Sequence, residues 1–328
     1  MPKANSSYTH IPVLLKQAIT LLDPKPGQRF VDGTLGGGGY TAELLKAVAP
    51  SGAKTKGAVL SIDLDKDALA NAESKFADEI KSKSLILAHG NFSQLDKIVE
   101  AHKEFYGFNT IDGIVADIGL SSYQLDQSNR GITFQKKEPL DMRFDLSSQE
   151  PDARFMLNQY SEAELTKIFW DYGEEKESKR IARAIVHERA VKPLHYTTDL
   201  VEIIKNALPK PVQHKWDSSA RRIFQSLRIA VNHELENLET FLPKALDLVS
   251  PGGAIVIVSF HSLEDRIVKQ FFQESAKGCV CPKEFPICLC GQTPRAEIIT
   301  KKLISATDEE AVENSRSIPA KLRAIRKL

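Results

Sequence analysis

Residues 30–40 read Phe-Val-Asp-Gly-Thr-Leu-Gly-Gly-Gly-Gly-Tyr. A short apolar strand ends in Asp32 and enters a loop with five glycines among the seven positions 33–39. A helix-forming run, residues 41–48, follows at once. Glycine lets the backbone take positive φ and lets a ligand lie against the main chain. The helix N-terminus behind the loop presents N–H groups with no intrahelical partner. Strand, glycine loop and helix in this order predict the opening of a nucleotide-cofactor domain.

The alternation continues beyond the loop. Residues 57–63, Gly-Ala-Val-Leu-Ser-Ile-Asp, form the continuous apolar run that a strand buried on both faces requires. Residues 67–76 have helical spacing, 84–89 read as a third strand, 92–105 as a third helix and 111–117 as a fourth strand. Strands alternating with helices predict an α/β fold with a parallel sheet and right-handed crossovers. Ligands on such sheets lie at the carboxyl ends of the strands. Those ends carry Asp32, Asp63, the segment from His89 to Phe92, and Asp117.

After Leu120 the pattern changes. Residues 121–145 are irregular and polar, and helical spacing then dominates in residues 162–172, 177–191, 198–207 and 218–241. The strand pattern returns at residues 251–260. The expected organisation is a Rossmann-like domain of residues 1–125 and 240–328, interrupted by a mostly helical substrate-recognition domain of residues 126–239.

With 328 residues the chain has room for two domains of about 150 residues each and for a large core. Lys and Arg number 44 against 43 Asp and Glu, so total charge predicts no partner. Its distribution is more informative. No acidic residue follows Glu313, whereas Arg316, Lys321, Arg323, Arg326 and Lys327 do. No apolar run approaches the ~20 residues of a membrane span. The first residues show neither a hydrophobic signal segment nor an Arg-rich amphipathic pattern. The expectation is a soluble cytoplasmic protein with no membrane partner.

The glycine loop leaves two cofactors open. Gly37-x-Gly39-x-x-Ala42 satisfies the dinucleotide fingerprint in its Gly/Ala form. Asp63 ends the second strand where an acidic side chain grips a ribose diol, and NAD and S-adenosylmethionine both carry one. A strand-end turn or helix cap is the alternative role for Asp63. The fourth strand ends in Asp117-Ile-Gly-Leu-Ser-Ser122, the place where amino-methyltransferases carry a short polar loop.

Here the chain resembles the ribosomal RNA small-subunit methyltransferase H family. The matching stretches run in order: His10-Ile-Pro-Val-Leu-Leu, Val31 to Gly39, Asp117 to Ser122, Gln124-Leu-Asp126, Arg130-Gly131, and Pro139-Leu-Asp-Met-Arg143. They continue with Tyr172-Gly-Glu-Glu175, Arg180-Ile-Ala-Arg-Ala-Ile185, Phe224-Gln225, Arg228, and Ser259-Phe-His-Ser-Leu-Glu-Asp-Arg-Ile267. The resemblance implies a class I S-adenosylmethionine-dependent methyltransferase sheet with an inserted helical domain. It implies methylation of N4 of a cytosine in the decoding region of 16S rRNA, within the small ribosomal subunit, by a monomer or homodimer. It also implies the cofactor contacts: Gly38, Gly39 and Tyr40 against the methionine part, Asp63 on the ribose, Phe92 on the adenine, and Asp117 and Gln124 near the amino-acid end and the sulfonium. Tyr40, where the family often has His, departs from the common wording, as do Gln17 and Tyr123.

The implied chemistry asks for in-line geometry and exclusion of water, because a sulfonium is already an activated methyl donor. The cytosine N4 lone pair is delocalised, so an acceptor hydrogen-bonded to N4–H favours attack. Asp117, a main-chain carbonyl in residues 118–120, and Asp141 are the candidates, with His261 as a base for the released proton. The alternative for Asp141 is an ion pair with Arg143. The alternative for His261 is a bond that stabilises the strand-to-helix turn, with Ser262 as N-cap.

A nucleic-acid surface must be local. The candidates are Lys176, Lys179, Arg180, Arg183 and Arg189; then Lys215, Arg221, Arg222 and Arg228; then the basic tail. Acidic Glu174, Glu175, Glu177 and Glu188 interrupt the first group, as on an ordinary solvated helix face. A base inside folded RNA must be splayed out to reach a methyl donor. Cys279, Cys281, Cys288 and Cys290 have tighter spacing than the usual zinc knuckle, with structural zinc and free or redox-labile thiols as the two readings, and no metal is assigned. Two other function classes remain: an NAD-dependent dehydrogenase, and a catalytically silent RNA-binding or assembly factor.

Overall fold

The five apolar runs become strands β1 (Arg29–Asp32), β2 (Ala58–Asp63), β3 (Leu85–His89), β4 (Ile111–Asp117) and β5 (Val249–Ser259). The computed structural model describes residues 12–52, 55–120, 129–278, 281 and 290–328. All four pairings among these strands are parallel, with Val31 opposite both Leu60 and Ile114, Ile62 opposite Ala88, and Val115 opposite Val256. Three further strands complete the sheet: β6 (Ala296–Ile298), β7 (Ile304–Ser305) and β8 (Lys321–Lys327). The order is β3-β2-β1-β4-β5-β8-β6, with β7 also on β8. The chain moves outward from β1 to one side through β2 and β3, then returns to its other side at β4. The switch point therefore lies between β1 and β4, and a crevice opens there beyond the strand ends.

Alternate strand residues feed two cores. Val31, Leu60, Ile114 and Ile255 pack with Leu95 and Val99 of α5 (Leu95–Tyr106), Phe241 of α11 (Glu234–Leu248) and Phe272 of α12 (Ser262–Ser275). Phe30, Val59, Val115 and Val256 face the other way. They pack with α1 (Leu15–Leu22), α2 (Gly39–Val48) and α3 (Lys66–Lys75). Each fully buried large side chain contributes about 1.5–3 kcal/mol relative to exposure. The result is a three-layer α/β/α unit with α4 (Ala77–Lys81) and α13 (Asp308–Glu313) at its periphery.

The chain divides into two compact units, residues 1–119 with 235–328, and residues 120–234. The second is helical: α6 (Ala153–Gln159), α7 (Glu162–Asp171), α8 (Ser178–Val191), α9 (Thr197–Ala207) and α10 (Trp216–Asn232). It has its own core, with Leu157, Phe169, Ile181, Ile185, Leu200 and Ile223 fully buried. Local chemistry sets its helix starts. The Asp152 side chain accepts from the Phe155 N–H at α6, and Ser161 and Glu164 form a reciprocal capping box at α7.

Two expectations are corrected. Residues 218–241 are two helices, because His233 takes φ 51° and ends α10 by donating its N–H to Ile229 O. Most of the basic tail, one of the candidate nucleic-acid surfaces, is part of the sheet. It is β8, antiparallel to β5 and β6, and its cations are engaged by the fold. Arg323 bonds the Asp265 carboxylate at 2.6 and 3.1 Å, Arg326 reaches Gly252 O at 3.1 Å, and Lys327 reaches Asp247 O at 2.8 Å. Among the described residues, no helix is long and apolar enough to cross a membrane.

Candidate active site

At the switch point the glycine loop is fixed by main-chain bonds to the neighbouring strands. Gly33 N–H donates to Val115 O at 2.8 Å, and Leu35 N–H to Ile62 O at 2.9 Å. Gly36 N–H donates to Asp63 Oδ2 at 2.8 Å. Two glycines are required by protein neighbours. Gly38 caps α2 at φ 72°, and a Cβ there would lie 2.7 Å from the Phe76 ring. A Cβ on Gly39 would lie 1.9 Å from Pro12 Cγ. At Gly36 a Cβ would meet nothing within 4 Å, so open space lies beside the Asp63 carboxylate.

Asp63 is half-buried at the end of β2, and its Oδ1 accepts the Asp65 N–H at 2.8 Å. Burial pushes its carboxyl up from 3.8 to about 6 against the pull of these main-chain donors. Gly90 N–H donates to Asp63 O at 3.0 Å, which draws the end of β3 to the same edge. There the Asn91 side chain accepts the Ser93 N–H and starts a single 3₁₀ turn at Phe92. The Phe92 ring meets Phe241 edge-on, with centroids 5.1 Å apart.

Asp117 ends β4. Its N–H donates to Thr34 Oγ1 at 2.6 Å. Its Oδ1 is buried and, among the described residues, has no hydrogen-bond partner. Burial holds the carboxyl well above its usual range, and the Asp32 and Glu264 carboxyls add to the effect. Asp32 is itself buried and accepts from Thr41 Oγ1 at 2.7 Å and Thr34 N–H at 3.2 Å. Burial raises it from 3.8 to about 7. Glu264 is fully buried and accepts the Phe260 N–H at 2.8 Å and the His261 N–H at 3.2 Å. Three acids thus share one corner and, among the described residues, Asp117 and Glu264 each have a buried oxygen without a donor. That arrangement calls for a proton or a cationic ligand.

The sequence-predicted residues fall into groups. Asp63, Phe92, Asp117 and the glycine loop meet at the strand ends. Gln124 lies outside the described residues, as do Cys279 and Cys288. The Tyr40 side chain is buried, and its hydroxyl donates to Val13 O, so it braces the segment before α1. His261, not Ser262, is the N-cap of α12, and its ring shares a capping box with Glu264. His261 Nε2 and Glu264 Oε1 are 3.0 Å apart without hydrogen-bond geometry. In the helical unit, Asp141 takes a two-pronged bond from Arg143, both prongs 2.8 Å. Burial alone would raise the Asp141 carboxyl, but this fork holds it below the usual range.

Several proposed RNA-facing arginines are committed inside the helical unit. Arg222 donates twice to buried Glu175, at 2.8 and 2.6 Å. Arg228 forks to Glu234 at 2.8 and 2.9 Å. Arg180 and Arg189 donate to the carbonyls of Ala207 and Leu157. Arg183 and Arg221 remain on the exposed surface.

A family model described as the MraW methylase family matches residues 7–328. The chain belongs to that family. Membership decides between the two cofactors left open by the glycine loop: an MraW methylase is an S-adenosylmethionine-dependent methyltransferase. A Ribosomal RNA small subunit methyltransferase H from Heliobacterium mobile is 46% identical over 324 residues, covering 98% of this chain and 99% of its own. Its namesake from Pelobacter propionicus is 45% identical over 329 residues, covering 98% and 100%. A solved rRNA methylase from Streptococcus thermophilus overlays 96% of this chain and 93% of its own, at a TM-score of 0.39 and 12% identity. The residues present fit the MraW cofactor chemically: the buried acid corner suits a cationic sulfonium and ammonium, and open space adjoins Asp63.

Reading the sequence alone did not single out Thr34, Thr41 or Glu264. The signal for the first two is a pair of hydroxyl residues flanking the glycines directly after a buried strand-end acid. The signal for Glu264 is a glutamate three residues past a polar N-cap, the spacing of a capping box.

Proposed function

We propose that this protein transfers the methyl group of S-adenosylmethionine to the exocyclic N4 of a cytosine in the decoding region of 16S rRNA, presented within the small ribosomal subunit. The observation that carries this reading is the half-buried Asp117 carboxyl at the end of β4, whose buried Oδ1 lacks a donor among the described residues. When bound, the cofactor supplies an activated methyl on a cationic sulfur. Asp63 would accept from the ribose hydroxyls, half-buried Phe92 would hold the adenine, and the main chain of Gly38, Gly39 and Tyr40 would hold the methionine part. Gln124 belongs to the same cofactor set.

Asp117 would accept a hydrogen bond from N4–H and so orient the amine lone pair for attack. A carboxyl with raised proton affinity is also suited to take the proton that the methylated amine releases. Thr34 fixes the Asp117 backbone, and Asp32 fixes Thr34. Asp141 has its carboxylate committed to Arg143, so its part is to hold that guanidinium. His261 shapes the turn that buries Glu264 against Asp117. The inserted helical unit recognises the RNA.

The test is transfer of labelled methyl from S-adenosylmethionine to 16S rRNA and to 30S subunits, followed by nucleoside analysis. Asp117→Ala should lower the rate by about 100-fold or more, the range for a lost acid–base group. Full activity in Asp117→Ala would remove Asp117 from this role. A wild-type product other than N4-methylcytidine would overturn the assigned reaction.

A further inference from the structure

The stretch His10-Ile-Pro-Val-Leu-Leu stands out in the sequence, yet the methyl-transfer chemistry above gives it no part. Its described residues 12–14 lie against the start of α2. Pro12 packs so closely on Gly39 that a Cβ there would sit 1.9 Å from Pro12 Cγ and 2.9 Å from Pro12 Cδ. Val13 O accepts the Tyr40 hydroxyl. Leu14 N–H donates to Glu310 Oε1 at 2.6 Å. Glu310 belongs to α13 and lies 296 positions further along the chain. Three successive residues are thus fastened, to a glycine, a phenol and a carboxylate.

Local preference does not put the segment there. Leu14 is the N-cap of α1 and takes φ 54° and ψ 27°, the left-handed region that costs energy in any residue with a Cβ. Its side chain makes no cap bond. The neighbours therefore hold the conformation. Val13 and Leu14 are buried, and Leu14 O accepts the Ala18 N–H at 2.9 Å. The bond to Glu310 is charge-assisted, a type about twice as strong as a neutral one. Glu310 is itself set in place: Thr307 Oγ1 accepts its N–H at 3.2 Å, and β7, just before, pairs with β8. Burial holds the Tyr40 phenol well above its usual range, and the Asp117, Asp32 and Glu310 carboxyls add to the effect. The phenol stays protonated, donates to Val13 O, and feels both the acid corner and α13.

We propose that Glu310 is a positioning residue for the methyl donor: by holding Leu14 N–H it keeps residues 12–14 on Gly39 and Tyr40, and so presets the main chain that receives the methionine part of S-adenosylmethionine. The inference rests on the assignment of Gly38, Gly39 and Tyr40 to that part and adds a residue that acts through them. Gly39 and Tyr40 open α2, where first-turn N–H groups have no intrahelical partner and suit a carboxylate. Without Glu310, Leu14 would relax toward the right-handed region, Pro12 would lift from Gly39, and those N–H groups would lose their fixed direction. Binding would then have to supply the ordering, at the expense of affinity.

The test uses the full-length protein with S-adenosylhomocysteine as probe, calorimetry for affinity and amide-resolved NMR for the segment. Glu310→Ala should weaken binding by about tenfold, the worth of one charged hydrogen bond, whereas Glu310→Gln, whose amide oxygen still accepts from Leu14, should stay within about threefold of wild type. Tyr40→Phe removes the adjacent fastening and should cost about fivefold. Combined with Glu310→Ala it should cost less than the product of the two, because both release one segment. Linkage requires the reverse effect: saturating probe should slow hydrogen exchange of the wild-type Leu14 N–H by about tenfold. In methylation assays Glu310→Ala should raise KM for S-adenosylmethionine while kcat and KM for RNA change little. The inference fails if Glu310→Ala binds within about twofold of wild type, or if Glu310→Gln binds no better than Glu310→Ala. Unchanged Leu14 exchange in wild type on adding the probe overturns it without any variant. Probe that leaves the wild-type Gly38, Gly39 and Tyr40 amide resonances unmoved removes the cofactor assignment itself. Shifted resonances there, with full affinity in Glu310→Ala, sink this inference alone.

Discussion

Asp63→Asn, followed across pH, tests whether the acid beside the glycine loop holds the cofactor ribose. Both Asp63 oxygens already accept a main-chain N–H, from Gly36 and Asp65. A carboxylate offers about four acceptor sites, so two remain for a vicinal diol. Only the ionised form accepts from both hydroxyls, and burial sets its titration at about 6. The competent fraction is about nine-tenths at about pH 7 and about one-tenth at about pH 5. Affinity for S-adenosylmethionine should therefore fall about tenfold over that interval, about 1.4 kcal/mol. Asparagine preserves the shape and removes the charge, and its amide NH₂ faces one of the two main-chain donors. The variant should bind about 10–100-fold more weakly near pH 7.5, the worth of a charged hydrogen bond. The gap between wild type and variant should narrow by about tenfold near pH 5. Calorimetric titration in buffers of different ionisation enthalpy measures both the affinity and the proton release. A gap of constant size from about pH 5 to about pH 7.5 would refute the assignment of Asp63 to the ribose.

Three further outcomes are expected. Asp32 is raised from 3.8 to about 7, so the folded state holds its proton more tightly than the unfolded chain. Its contribution is most favourable below about pH 4, declines as pH rises through about 7, and is level beyond. Urea denaturation should thus show Asp32→Asn gaining on wild type by up to about 4 kcal/mol between about pH 4 and pH 8, whereas parallel stability curves would contradict the buried-acid account. Thr34→Val removes the acceptor for Asp117 N–H; kcat should fall about five- to tenfold, with Thr34→Ser close to wild type, as single-turnover rates would record. Arg222→Ala leaves the Glu175 carboxylate buried without its cation, and denaturation of the helical unit should move by about 3 kcal/mol, with an unchanged midpoint counting against that pair.

The parallel half of the sheet was legible because its strands are short apolar runs, three of them ending in acids, the pattern of strands covered on both faces. Residues 321–327, Lys-Leu-Arg-Ala-Ile-Arg-Lys, were read as a basic tail. Their apolar positions enter the sheet, while their cations meet Asp265 and main-chain carbonyls. Those partners lie far away in sequence, and no local pattern announces them. The break at His233 was hidden for a different reason. Left-handed helix ends usually carry Gly or Asn, and here histidine takes that conformation between two amphipathic runs. The strand-end acids of the site were visible as residues but not as a cluster. Nothing in the spacing of Asp32, Asp117 and Glu264 shows that burial brings their charges together. Asp141 was legible both ways, and the Arg143 fork is the alternative realised. The arginines at 222 and 228 looked like phosphate ligands because their acidic partners are remote or masked by other charges.

The insertion between β4 and β5 has a consequence for how the molecule forms. Ile111 pairs with Val249 only after the chain has passed through the whole helical unit. Closure entropy grows slowly with loop length, about 0.6 kcal/mol per doubling, so the final sheet loses little stability to the detour. The kinetic burden is larger, because a sheet whose central pairing is this non-local must wait for distant segments to meet. A helical unit with its own core shortens that wait if it folds first, since it converts a long flexible loop into a compact spacer. Glu264, one of the three acids of the methyl-donor corner, lies beyond β5 in the chain, so a chain stalled before β5 is made lacks both that acid and the β4–β5 pairing.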